Sequence, residues 1–381
     1  MRAVLAGSLV FGSVVMAWVI GDAVPASATA PSIVKCNAGG NLQTAINAAS
    51  EGSTLIVHGT CTGNFTIAES LTLQGSGTLS GTGHDGPVLT INSGTAFLNN
   101  LTIENGNDTS SVGGGIFNSG VLTLRNSTVS DNTAIYGGGI WNQGTLTVTN
   151  STVSGNTASV VGGGGGGILS YSGTSAITNS TVSGNTASVN GGGIYNYSSA
   201  LTVTRSLVSD NGAPNGGGIF NYNQAPGTLT LINSSINKNT ATEGGGGIYN
   251  LGTVTQPSTD KGGVSINGNT SGGNGGGFDN EGGTVTLPNA AVIRNSAVNG
   301  GGVYNDGGSA FSANNTSVNH NTATRDGGGI YNNGRLSLSP SVSVNFNTAA
   351  SGGGIYTTVV LSPPVPAGDV AHNIPDNIVV V

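Results

Sequence analysis

The sequence predicts an all-β fold, a parallel β-helix. One chain would wind as a single-stranded solenoid with about three strands per coil, closed at its start by a short N-terminal capping helix. Three observations predict it. First, a glycine block followed by a large apolar residue recurs ten times, at Ile116, Ile140, Ile168, Ile194, Ile219, Ile248, Phe278, Val303, Ile330 and Ile355, 24 to 30 residues apart. Second, the segments between blocks lack helical periodicity and carry apolar-Thr-apolar runs such as Leu122-Thr123-Leu124, Leu146-Thr147-Val148 and Leu201-Thr202-Val203. That alternation marks a strand with one buried face. Third, an apolar column (Val129, Val153, Val182, Val208, Ile236, Ile266, Val292, Val318, Val344) is followed three residues later, each time, by asparagine: Asn132, Asn156, Asn185, Asn211, Asn239, Asn269, Asn295, Asn321 and Asn347. One such unit cannot bury its own apolar face, but stacked units can.

The elements follow in order. Arg2, the apolar stretch Ala3 to Ile20 and the small-x-small site Ala28-Thr29-Ala30 read as a signal peptide over 1–30, cleaved after Ala30, with an uncleaved anchor as the alternative. Residues 31–111 are expected to hold the N-terminal cap and the first irregular coils. Leu42, Ala45, Ile46 and Ala49 share one helical face, with Asn41 as N-cap and Gly52 as stop. Cys36 and Cys61 are the chain's two cysteines, and in an exported protein they are expected to pair, for a stabilisation of roughly 3 kcal/mol. Residues 112–359 form the regular repeats, with the largest insertion, Thr255 to Gly263, projecting from one edge. Residues 360–381 form a C-terminal tail or cap, opened by the proline-containing run Leu361 to Gly368, which cannot continue a ladder.

Composition supports a folded chain. Of 381 residues 68 are glycine and only 7% are charged, but 36% are hydrophobic and regularly placed, which a disordered chain would lack. The formal net charge of −7 and the absence of a basic run exclude a general nucleic-acid role.

The blocks "GGGIFN", "GGGIWN" and "GGGIYN", paired with "NSTVSDN" or "NSTVSGN", resemble the chlamydial polymorphic outer-membrane-protein repeat. There the third glycine is alanine and the Val-x-x-Asn is Phe-x-x-Asn. The chain is also similar to secreted right-handed parallel β-helix proteins of the pectate-lyase-like superfamily. The resemblance covers about residues 36 to 357. It implies a right-handed helix and a secreted, cell-surface or envelope location. It leaves two functions open: an adhesin-like or structural contact protein, and a polysaccharide lyase or glycoside hydrolase on the same scaffold. The first is the reading preferred here, with a surface glycan or protein as partner, no cofactor, no membrane span after signal cleavage and an open oligomeric state.

The candidate chemistry is sparse. Asp279, Glu281 and Asp306 fall on one face in adjacent coils, and could bind a cation such as Ca²⁺ or act as an acid/base pair. A solvated acidic surface is the plainer reading. Lys238, Arg294 and His320 share a slot in another turn, and His84-Asp85 reads as a loop. The residue after the aliphatic column is aromatic in eight coils: Phe117, Trp141, Tyr195, Phe220, Tyr249, Tyr304, Tyr331 and Tyr356. Strand alternation points these outward as a stacked stripe, either a contact surface or a ladder that only stabilises its sheet.

Overall fold

Successive coils of the chain lie on one another in register, so each apolar column becomes a continuous buried row. The computed structural model describes residues 30–159, 162–222, 227–260, 262–359, 361 and 370–381. The segment read as a signal peptide, apart from Ala30, and most of the Leu361 to Gly368 run lie outside these residues.

One regular coil runs Val121–Arg125, Thr128–Ser130, Thr133–Tyr136 and Ile140–Asn142. Each segment pairs in parallel with its equivalent in the next coil, for example Ile140 with Ile168 and Leu146 with Ser175. The result is four long ladders: sheet 1 of 13 strands, sheet 2 of 11, sheet 3 of nine and sheet 4 of 13, met in that order around the coil. Where about three strands per coil were expected, the regular coils have four. The extra one is the Thr-Ala segment of sheet 3, as at Thr157–Ala158 and Thr186–Ala187. Two residues are too few for a period-two pattern to show in sequence. The small column is buried along sheet 3: Ala134, Ala158, Ala187 and Ala213 are each at most 6% exposed.

The core holds the three predicted apolar columns, with Ile116, Ile140, Ile194, Ile219 and Ile248 fully buried. Two asparagine rows run through it. In one, each Nδ2 donates to the next Oδ1, from Asn156 to Asn185, Asn211 and Asn239, at 2.9 to 3.0 Å. The same Oδ1 atoms also accept the preceding coil's backbone N–H, as Asn211 Oδ1 does from Asn185 N at 2.9 Å. The other row links Asn196 to Asn221, Asn250 and Asn280 at 2.7 Å each. These amides satisfy turn groups that would otherwise be buried without partners.

The glycine corner "GGGIYN" uses its three glycines differently. Gly191 has φ +62°, a left-handed turn. Gly192 and Gly193 have ordinary φ, but a Cβ on Gly192 would collide with the carbonyls of Gly212 and Gly217. The second and third glycines therefore exist for close approach between coils.

The ends are closed as the chemistry requires. The capping helix spans Leu42–Ala48, with Asn41 Oδ1 accepting from Thr44 N at 2.9 Å and Leu42 and Ile46 buried on the first coil. A strand that sequence reading missed, Ser32–Lys35, precedes it and pairs with Ser53–His58. Cys36 and Cys61 form a disulfide, Cα to Cα 5.1 Å. At the far end, Ile378–Val380 pairs with Ile355–Thr357 and Asn373 extends the asparagine row. The Thr255 to Gly263 insertion does not project as expected. Gln256 and Asp260 are buried, and Asp260 Oδ2 accepts from Asn233 N at 2.9 Å, tying the loop to the preceding coil; Ser258 and Thr259 are its exposed tip.

Candidate functional site: the outer face of sheet 4

In sheet 4 the isoleucine of each strand enters the core, so the next side chain must face outward. Phe117, Trp141, Leu169, Tyr195, Phe220 and Tyr249 stand in one column, followed by Asp279, Tyr304, Tyr331 and Tyr356. Coil spacing stacks the rings: Phe220 on Tyr249 at 4.9 Å, Tyr304 on Tyr331 at 4.8 Å and Tyr331 on Tyr356 at 5.2 Å.

Two findings change the picture of an open stripe. The column is mostly covered: Trp141 and Tyr195 are 9% exposed and Phe220 5%, while Phe117, Tyr249, Tyr304, Tyr331 and Tyr356 are half-buried. Ring faces shield one another, and flanking residues cover the rest. In addition, a second outward row stands two residues further along three consecutive strands. Tyr171, Tyr197 and Tyr222 stack at 4.9 and 5.1 Å with interplanar angles of 9° and 15°, and Trp141 continues the stack onto Tyr171 at 5.3 Å. Tyr171 is 37% exposed. Sequence reading missed this row. Its signal was the Ile-x-x-Tyr of "ILSY", "IYNY" and "IFNY".

Leu169 breaks the column between Trp141 and Tyr195, and a groove of about 460 Å³ opens there, walled by Tyr136, Trp141, Tyr171 and Tyr197, with Gln143 and Asn190 at its edges. Tyr195 lies with its ring against Gly164, where a side chain would collide with it. Burial pushes the Tyr195 hydroxyl's pKa upward, and Tyr197 and Tyr222 add to that.

Asp279 is the second break. Its outer neighbours are Tyr249 and Tyr304, and its carboxylate lies against Gly244. Asp279 is 1% exposed and its Oδ1 has no hydrogen-bond partner among the described residues. The structure does bring the three predicted carboxylates together. Burial first, then the charges of Glu281 and Asp306, raise the Asp279 pKa well above the usual carboxylate range. Tyr249 donates its hydroxyl to Glu281 Oε2 at 2.5 Å. Burial and that hydrogen bond push the Tyr249 pKa up. None of the groups acting on Asp279 is cationic. Among the described residues no group of three or more His, Cys, Asp and Glu is placed to hold a metal ion. The face that was read as a solvated acidic surface therefore has one member, Asp279, sealed from solvent, which leaves a carboxyl able to donate a proton in place of a charged ligand.

The other candidates lie elsewhere. Lys238, Arg294 and His320 occupy left-handed turn positions, φ 54°, 55° and 58°, between sheets 2 and 3. His84 and Asp85 are exposed turn residues, Asp85 held through its carbonyl by Asn64 Nδ2 at 2.8 Å.

Comparison with known proteins agrees with this geometry. Residues 87–261 match the right-handed β-helix region family, and residues 315–333 match the Chlamydia polymorphic membrane protein repeat. The fold is a parallel β-helix, and over these two stretches the chain is similar to the right-handed β-helix and polymorphic-membrane-protein-repeat families. The pectate-lyase-like superfamily fits the same match. The repeat match spans Val318, Asn321 and the corner Gly327 to Asn332, so it covers core and turn positions together with one member of the outer aromatic column, Tyr331. No curated protein and no solved structure matches the chain. No helix among the described residues is long and apolar enough to cross a membrane.

Proposed function

We propose that this β-helix is an exported, surface-associated scaffold with an adhesin-like role, and that it meets its partners through the outer face of sheet 4. The observation that carries the reading is the unequal distribution of aromatic side chains. Sheets 1 and 2 present threonine outward, as at Thr123, Thr147, Thr202, Thr128 and Thr152, which suits a pleated, half-wet surface. Sheet 4 alone presents two adjoining aromatic rows, Phe117 to Tyr249 and Tyr171 to Tyr222. Grouped aromatics at a surface are the composition of contact sites. The polymorphic-membrane-protein repeat supports a surface or autotransporter-like structural protein, and the segment read as a signal peptide would take the chain out of the cytoplasm.

The test has two parts. Protease added to intact producing cells should degrade the protein at the surface. Replacing Tyr171, Tyr197 and Tyr222 by serine should remove the adhesion that the unaltered protein confers, with the circular dichroism spectrum unchanged. Adhesion that survives the triple change in a folded protein would refute the assignment of this face.

A further inference from the structure

We propose that the groove at Leu169 is a binding site for a neutral sugar ring of a glycan chain. It rests on the reading of sheet 4 as the contact face and names the ligand class for that face.

In register with Leu169 the coils before and after carry Trp141 and Tyr195. Leu169 stands between them instead, 2% exposed, and lines the groove beneath the stack of Trp141 on Tyr171 at 5.3 Å. Tyr195 does not close it, because its ring lies on Gly164 and packs edge-on to Tyr197 and Phe220, at 5.7 Å and 5.1 Å. The rings that line the groove are themselves fixed by stacking, so little side-chain freedom is lost when a ligand enters.

The lining selects the chemistry. The walls are the rings of Tyr136, Trp141, Tyr171, Tyr195 and Tyr197, and the polar groups of the lining are tyrosine hydroxyls and the amides of Gln143 and Asn190, the latter hydrogen-bonded to Tyr195. No carboxylate, ammonium or guanidinium is among them, so nothing compensates a charged ligand. About 460 Å³ is the volume range of a small-ligand site, and aromatic walls with a few amides are its usual make-up. A pyranose unit offers both halves of the match: C–H faces against rings, and hydroxyls for amides. A flat aromatic ligand would use the walls and leave the amides unanswered.

Trp141 supplies an independent observation. It is 9% exposed, lines the groove, and its buried Nε1–H has no acceptor among the described residues. A buried indole N–H without a partner is uncommon and costs stability. With its N–H sealed, what Trp141 offers the groove is its ring.

Trp141 also provides the readout. The chain has two tryptophans, Trp18 and Trp141, so in a full-length Trp18→Phe background the fluorescence comes from the groove alone. The probes are neutral oligosaccharides built from glucose, mannose or N-acetylglucosamine, with oligogalacturonate as the charged control. At least one neutral series should give a saturable change, confirmed by calorimetry, and oligogalacturonate should give none. Tyr197→Ala should weaken binding about tenfold or more, the size expected of a central aromatic contact. Leu169→Tyr should abolish binding by filling the groove with the fold intact, and Tyr331→Ala, further along the same face, should leave it unchanged. The proposal is overturned by the absence of saturable binding to every neutral series, by stronger binding of the charged control, or by binding indifferent to Leu169→Tyr. Adhesion without sugar binding removes this site and leaves the contact function standing. Sugar binding without adhesion keeps the site and removes the contact function.

Discussion

The outer column of sheet 4 is interrupted twice, and the interruptions are opposites. At Leu169 an apolar side chain replaces the ring, is itself 2% exposed and lines a groove. At Asp279 a polar side chain is drawn inward until its Oδ1 has no partner among the described residues. Both rest on the same device, a glycine in the preceding strand-to-corner position: Gly164 accommodates Tyr195 and Gly244 accommodates Asp279, where the equivalent residues of other coils are Asn190, Asn215, Asn274 and Asn299. The first break also reaches the interior. Ser170 replaces the inner asparagine, and its Oγ meets those of Ser175 and Ser199 at 2.8 and 2.7 Å. At the second break Asn280 keeps the inner row intact, bonded to Asn305 at 2.8 Å. A repeat thus tolerates a change on its outer face independently of its inner one, because alternation puts adjacent residues in separate environments.

The largest effects should come from the glycine beds. Gly164→Val and Gly244→Val each force a side chain off its seat, at a cost of about 3 kcal/mol in chemical denaturation. They should then diverge. Adding Asp279→Ala to Gly244→Val should restore most of the loss, whereas the ring of Tyr195 is packed on several sides and leaves no comparable remedy; equal rescue by Tyr195→Ala would erase the distinction.

Next is the charge at Asp279. An unfolded aspartate ionises near pH 3.9, as model peptides do, but in the fold burial, Glu281 and Asp306 keep this carboxyl protonated to higher pH. The penalty is absent below the unfolded pKa, grows as pH rises above it and levels off past the raised folded pKa. Asp279→Asn should therefore stabilise by about 2 kcal/mol at pH 8 and by nothing at pH 3. A stability difference that does not vary with pH would show that Asp279 is not held neutral.

Filling the first break is expected to have a smaller effect of the same sign. Leu169→Tyr should raise stability by about 1 kcal/mol through new contacts with its ring neighbours. A lower melting temperature would mean that the groove is already closed by packing. The smallest change is Tyr249→Phe, which removes the hydroxyl donated to Glu281 and should cost about 0.5 kcal/mol, given the half-buried site.

Much of this was legible in the residues. The isoleucine, valine and asparagine columns each gave one position per coil, and the observed register pairs them as predicted, Ile194 with Ile219 and Val208 with Ile236. The alignment of Asp279, Glu281 and Asp306 was also readable from spacing. The sealing of Asp279 was not, because the groups that seal it, Tyr249, Tyr304 and Gly244, belong to other coils. Tyr171, Tyr197 and Tyr222 were visible as letters but meaningless without knowing that three successive strands run long enough to present them side by side.

The sequence by itself determined the fold and its register. A motif repeated in every coil can bury its apolar face only against its own copies, and periodic asparagines and glycines admit one way of stacking. The tertiary structure alone decided which outward residues are exposed and where the face is open. Exposure depends on how the rings of neighbouring coils lean, and that is settled by the exceptions, Leu169, Asp279, Gly164 and Gly244, acting across coils more than 20 residues apart in the chain.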